Sequence, residues 1–331
     1  MAQPSPERIV LAELNRCRRE LPAIDRGGGA LRITTLLSSL SAGAALYWGT
    51  EALWMRVTGL AVLSASEALL LIATHEACHG TLLKPAWLEQ LLSAAVSWPM
   101  AWPYLSYRRL HQLHHRWNGR DLRDPERVNP LPPAQQPMPP AQQPMPPAQQ
   151  PMPPAQQPMP LPIWRTAVLE AGLGLMLKTY RAGWELRDAC PQLRRTMPLD
   201  AAGVIGLQAL FISISLWQGA LLEYLISWIV VERTTGALLQ LRGLIEHWGL
   251  VQPKDSAVLE QLYCSRTIKV GPWWNGVLGG LPYHAAHHAY PSVPSALLPQ
   301  LTEEIERTLS RHQYPPLPAS SSYWQAIREL R

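Results

Sequence analysis

Charge is scarce in this sequence. Only 16% of its 331 residues are Asp, Glu, Lys or Arg, against about 25% in ordinary soluble domains, so a chain wholly surrounded by water is not expected. Paired cysteines are missing too. Cys17, Cys78, Cys190 and Cys264 lie far apart with no C-x-x-C, which argues against a disulfide framework or a zinc knuckle. Cys78 reads as a small buried side chain. The first 30 residues hold arginines but no apolar core, so no cleavable signal peptide is expected. The net charge of +5 and the pI near 9.1 come from basic residues that flank apolar segments without forming a stripe. That pattern suits the anionic inner face of a membrane and not a nucleic acid.

What is present is a set of long uncharged runs. Ile33 to Thr50 carries no charge, Val57 to Thr74 carries only Glu67, and Ala201 to Leu222 carries none. Each approaches or exceeds the ~20 residues that cross a bilayer. A fourth run, Leu221 to Leu241, is interrupted by Glu232 and Arg233. The arginine-rich flank before Ile33 puts the N-terminus in the cytoplasm, and the absence of Lys and Arg between Asp200 and Glu232 turns the second link outward. Residues 86–105, with Trp87, Trp98, Trp102 and Tyr104, are aromatic and broken by proline, so a re-entrant or interfacial segment is expected there. Residues 160–198 read as an amphipathic surface helix ending at Arg194-Arg195. The expected fold is an all-α integral membrane protein. Its four transmembrane helices form two hairpins under a cytoplasmic helical cap, in a single domain over 1–331 with both termini on the cytoplasmic side.

Between 132 and 159 the heptapeptide Pro-Pro-Ala-Gln-Gln-Pro-Met runs four times. Proline at this density excludes a helix, an interior strand and a coiled coil. The segment reads as a low-complexity insertion in a cytoplasmic loop, where added length costs little entropy. Deleting Pro139 to Met159 is therefore expected to leave activity in place. Loss of product at unchanged membrane levels would show instead that the insertion serves the site.

Histidine supplies the chemistry. Eight of the ten histidines fall in three clusters: His75 and His79; His111, His114 and His115; His284, His287 and His288. Residues four apart on a helix share a face, and in H-x-x-H-H all three rings can point into one cage. Imidazole suits iron, zinc, copper and nickel, and eight ligands exceed one tetrahedral zinc, so two metals are expected in a shared cage. Glu76, Asp121, Asp124 and Glu246 are candidates to hold the free ring N–H of ligating histidines; a solvated surface charge is the alternative for each. Glu67 is a functional candidate as an ionisable residue inside a span; near the outer headgroups it would be ordinary.

His75-Glu-Ala-Cys-His79, His111-Gln-Leu-His-His115 and His284-Ala-Ala-His-His288, with Tyr290-Pro-Ser-Val-Pro294 after the last, resemble the three histidine boxes of the membrane fatty acid desaturases. Asp124-Pro125 and Leu241-Arg-Gly-Leu-Ile-Glu-His247 are similar as well. The resemblance spans roughly 60–125 and 200–310. It implies a di-iron centre on the eight box histidines, O2 as co-substrate, and electrons from a separate donor of the ferredoxin or cytochrome b5 type. It also implies a lipid or acyl substrate from which hydrogens are removed to leave a double bond. His247 resembles an additional histidine that these enzymes place before the third box, and is expected to be a ninth ligand. His312 is expected to be a solvated ring. Two alternatives stay open: a carotenoid ketolase or hydroxylase, whose first box is similar to Thr74-His-Glu-Ala-Cys-His-Gly-Thr-Leu82, or an acyl hydroxylase; and, from another class, a non-catalytic membrane metal-binding or transport protein.

Overall fold

The computed structural model describes residues 5–22, 27–121, 123–128, 173–250 and 256–330, so the 132–159 repeat lies outside the described residues. The first two apolar runs fold as two long helices packed together, α2 (Gly27–Trp48) and α3 (Leu53–Ala77), following α1 (Pro6–Glu20). Small residues let the two backbones approach closely. A Cβ on Gly59 would lie 2.7 Å from the Tyr47 amide nitrogen and 2.8 Å from the Gly43 carbonyl oxygen. Because the obstacle is backbone, Gly59→Ala has to part the helices. It is expected to cost about 1–3 kcal/mol, read as a lowered melting temperature of the purified protein; an unchanged melt would show that the hairpin gives way freely.

A short helix α4 (Ala86–Ser97) and a 3-10 turn (Trp98–Met100) come next. At ~18 Å for twelve residues, α4 is too short to cross a ~30 Å hydrocarbon core. Helix α5 (Tyr104–Trp117) carries the second histidine cluster. Beyond the gap, α6 (Leu173–Leu186) leads to α7 (Leu193–Trp217) and α8 (Leu221–His247).

Three described helices are long and apolar enough to cross a membrane: Gly28–Trp48, Leu53–Ala77 and Leu193–Trp217. The third departs from the sequence reading at its start. Arg194 and Arg195 open this helix and do not close a surface one. Pro198 is tolerated near the start, where it forfeits one backbone bond. Helix α8 is ~40 Å long, but Glu232 and Arg233 make it less apolar.

Asp200, at the edge of the third apolar run, is fully buried. Its Oδ1 accepts from Trp98 Nε1 (2.9 Å) and the Leu105 amide (3.1 Å), and its Oδ2 accepts from the Ser106 amide (2.7 Å). The first amides of a helix lack internal partners and favour negative charge. A side chain on α7 thus caps α5.

The remaining elements cover the histidine end. They are α9 (Ala257–Tyr263), α10 (Pro272–Val277), α11 (His284–Ala289), α12 (Leu298–Arg311) and α13 (Tyr323–Glu329). Helix α12 buries Leu298, Leu301, Ile305 and Leu309 on one face, spaced by three and four as an amphipathic helix requires. Val10 and Leu14 of α1 join that cluster. The all-α expectation misses one detail, a parallel pair of two-residue strands, β1 (Thr267–Ile268) and β2 (Ala319–Ser320). Next to it the Ile268 amide donates to the Pro282 carbonyl at 2.7 Å, fixing the chain two residues before the third cluster.

Candidate metal centre

Four elements bring the histidines together. His75 sits in the last turn of α3. The helix ends at Ala77, so His79 lies one residue past the Cys78 cap, on the following turn and not on the helix. Helix α5 presents His111, His114 and His115, α11 presents His284, His287 and His288, and His247 is the last residue of α8.

The rings divide into two adjoining groups. In the first, one ligand atom each from His75, His79, His111, His115 and His287 lies within 4.8 Å of the others. In the second, His114, His247 and His288 converge within the same limit, and His284 joins through His247, Nε2 to Nε2 at 3.0 Å. The groups meet where the His115 and His288 rings stack with centroids 4.2 Å apart. Each H-x-x-H-H therefore splits. In the second cluster the pair four apart, His111 and His115, faces the first group and His114 the second. In the third cluster the assignment reverses: His284 and His288 face the second group and His287 the first. Spacing alone puts the rings in one cage shared by two metals and does not say which ring faces which group.

Partners behind the rings fix the tautomers. His111 Nδ1 donates to Glu126 Oε1 (2.7 Å), His114 Nδ1 to Asp124 Oδ1 (2.8 Å), His288 Nδ1 to Gln261 Oε1 (2.9 Å) and His247 Nδ1 to the Cys264 carbonyl (3.1 Å). With Nδ1 protonated, the His111, His247 and His288 rings keep a lone pair on Nε2. Of the acidic candidates, Asp124 holds a histidine, and Glu246 lies 3.4 Å from His284 Nε2 while Arg242 grips it at 2.8 and 2.9 Å. Two are engaged elsewhere. Glu76 accepts from Arg32 (3.0 Å) and from Ser295 Oγ (2.8 Å), so it ties α3 to α2 and to the loop after α11. Asp121 pairs with Arg123. Sequence reasoning missed Glu126, Gln261 and the Cys264 carbonyl. Glu126 had a signal, being an acid two residues past Asp124; the other two had none.

Do these residues fit a metal? The Nε2 atoms of His75, His79, His287 and His288 are buried with no hydrogen-bond partner, and such orphaned polar atoms call for an explanation, an ion among them. Burial, and after it the neighbouring rings, hold His79, His115, His284, His287 and His288 well below the ordinary imidazole value. They are neutral, as ligation requires. His114 is the exception: burial pulls it down, but Asp124 and then Glu126 more than offset this and hold it at about 9. A metal there has to displace a proton. The donor set is thus nine imidazoles with Glu246 at the edge, and it fits a pair of borderline metals.

Residues outside the groups are as clear. His312 is partly exposed, as a solvated ring would be, and its Nε2 also meets Glu13 Oε2 on α1 at 2.8 Å. Cys78 is buried with its thiol toward the Thr74 carbonyl, and belongs to neither group. In front of the rings lies a chamber of about 120 Å³, lined by Leu71, Trp102, Leu110, Leu175 and Leu239 beside His75, His111, His114, His247 and His284, with Lys178 also in its wall.

Two comparisons bear on this arrangement. The family model described as fatty acid desaturase matches residues 52–318, which take in every histidine of both groups. No curated protein matches the chain.

Proposed function

Because the chain belongs to the fatty acid desaturase family, we propose that it is an integral-membrane di-iron enzyme that desaturates a fatty acyl chain with O2. The observation that carries the reading is the convergence of nine imidazoles in two adjoining groups beside a chamber walled in part by Leu71, Trp102, Leu110, Leu175 and Leu239. His75, His79, His111, His115 and His287 would hold one iron, and His114, His247, His284 and His288 the other. The irons, when bound, supply the O2-dependent removal of hydrogen from an unactivated methylene. The protein's own share is positioning. Asp124, Glu126, Gln261 and the Cys264 carbonyl hold four rings with Nε2 inward. Leu71, Leu110, Leu175, Leu239 and Trp102 bind an aliphatic chain and keep water from the reacting carbon. Lys178 suits the polar end of the acyl substrate.

In this reading α2, α3, α7 and α8 are four spans in two hairpins, with the histidine end and both termini cytoplasmic. Electrons come from a separate ferredoxin- or cytochrome b5-type protein. His79 and His115 are the only two of the nine not fully buried. Arg108, Arg109 and Arg116 on α5, beside them in sequence or space, suit an acidic donor.

Fatty-acid analysis of a heterologous host with and without the gene, paired with metal analysis of the purified protein, tests this. The expected result is a new unsaturated acid and two irons per chain, both lost in His287→Ala. Zinc or copper in place of iron, with an unchanged lipid profile, would favour a metal-binding or transport protein.

A further inference from the structure

The loop between β1 and α11 is closed at its base and bare at its tip. The Ile268 amide donates to the Pro282 carbonyl at 2.7 Å and shuts the base. At the tip, α10 presents Trp273 and Trp274, 69% and 55% exposed, with ring centroids 4.6 Å apart. From Val270 to Thr302 the sequence holds no Asp, Glu, Lys or Arg, and Lys269 stands just before that stretch. An indole carries more apolar surface than most side chains, so two of them left bare in an uncharged loop call for a cover.

The neighbours of α10 set its depth. Arg32 is the last charge before the uncharged run of α2, in a helix long and apolar enough to cross a membrane from Gly28 onward, so it stands at the rim of the hydrocarbon. Its guanidinium pairs with Glu76 at 3.0 Å, and its Nη2 lies 3.5 Å from the Val277 carbonyl at the end of α10. Trp273 is four residues from Val277, ~6 Å of helical rise. The headgroup layer of one leaflet is itself ~5–8 Å deep, so both indoles fall in or beside it. Indoles favour that level, where the ring meets apolar chains and the N–H stays wet. Trp48, Trp54 and Trp217 show the same habit, standing exposed at the ends of α2, α3 and α7 away from the histidines. A soluble partner would account for two bare indoles but not for their depth, and a loop with Lys269 and no acid suits anionic lipid.

We infer that α10 is a membrane anchor, with Trp273 and Trp274 seated among the lipid headgroups that surround the start of α2. The inference rests on the reading of α2 and α7 as membrane spans and needs neither the metals nor the reaction. Because the base of the loop lies two residues before His284, the anchor ties the approach to the third cluster to the bilayer surface as well as to the helices.

The test uses full-length protein in nanodiscs of phosphatidylcholine and phosphatidylglycerol. Cys17→Ser and Cys190→Ser first remove the two partly exposed cysteines. A nitroxide is then attached at Trp274→Cys, and in separate samples at Ile205→Cys, exposed in the middle of α7, and at Ser310→Cys, exposed on α12. Power-saturation EPR compares collisions with O2, which concentrates in lipid, and with a water-soluble nickel chelate. The nickel-to-O2 ratio at 274 is expected to fall several-fold below that at 310, toward that at 205. If the Trp274 variant fails to fold, Gly276→Cys carries the label in its place. It keeps both tryptophans, and a Cβ there meets nothing within 4 Å. A ratio in the loop equal to that at 310, with 205 shielded, overturns the anchor, leaves the spans intact and assigns the indoles to a soluble partner. Nickel access at 205 removes the span reading instead. A shielded loop then leaves α10 as a surface anchor, and an open one removes both.

Discussion

His247→Ala is expected to lose bound metal and turnover together, while His312→Ala keeps both. His247 closes α8 with Nδ1 committed to the Cys264 carbonyl and Nε2 3.0 Å from His284 Nε2. Removing it leaves His114, His284 and His288 without the ring that joins them. The loss should exceed the roughly 10–100-fold that follows removal of a partner behind a ligand, since here the ligand itself is gone. His312 instead holds Glu13 at the contact of α1 with α12, so its loss should lower the melting temperature slightly and leave iron content alone. Iron per chain and rate, measured on both variants, decide this. Full iron and turnover in His247→Ala would hand its place to water or to Glu246.

Glu126→Leu and Asp124→Leu are expected to weaken metal binding by about 10–100-fold each, although neither carboxylate lies in either group of converging atoms. Without Glu126 the His111 ring loses its 2.7 Å acceptor, and without Asp124 the His114 ring loses its 2.8 Å one; each is then free to turn or to shift its proton to Nε2. Asp121→Asn is the matched control, because Asp121 is spent on Arg123 at the surface. Chelator competition on the three purified variants reads the effect. If Asp121→Asn weakened binding as much as the other two, the general negative potential of the segment, and not ring orientation, would be the cause.

How much of this could be read from the chain follows from what each feature depends on. The three clusters were legible because histidine is rare here and concentrated. The first two apolar helices were legible because a run of that length with at most one charge admits few alternatives. The split of each H-x-x-H-H was not. Helical spacing says that His111 and His115 share a face, but which metal that face meets depends on where α11 and α8 arrive. Gln261 behind His288 was unreadable for the same reason, since only the packing of α9 against α11 makes them neighbours. The start of the third apolar helix was misread because Arg194, Arg195 and Asp200 look like terminators. A charge ends an apolar run only when it needs water, and Asp200 has three donors instead.

That aspartate bears on how the gene can change. Asp200 grips the start of α5 from beyond the stretch between 128 and 173, so a contact across the fold helps to position the second cluster. Tandem copies of a seven-residue unit are prone to gain and loss when DNA is copied. Variants with one copy of the unit and with four are accordingly expected to hold the same iron per chain.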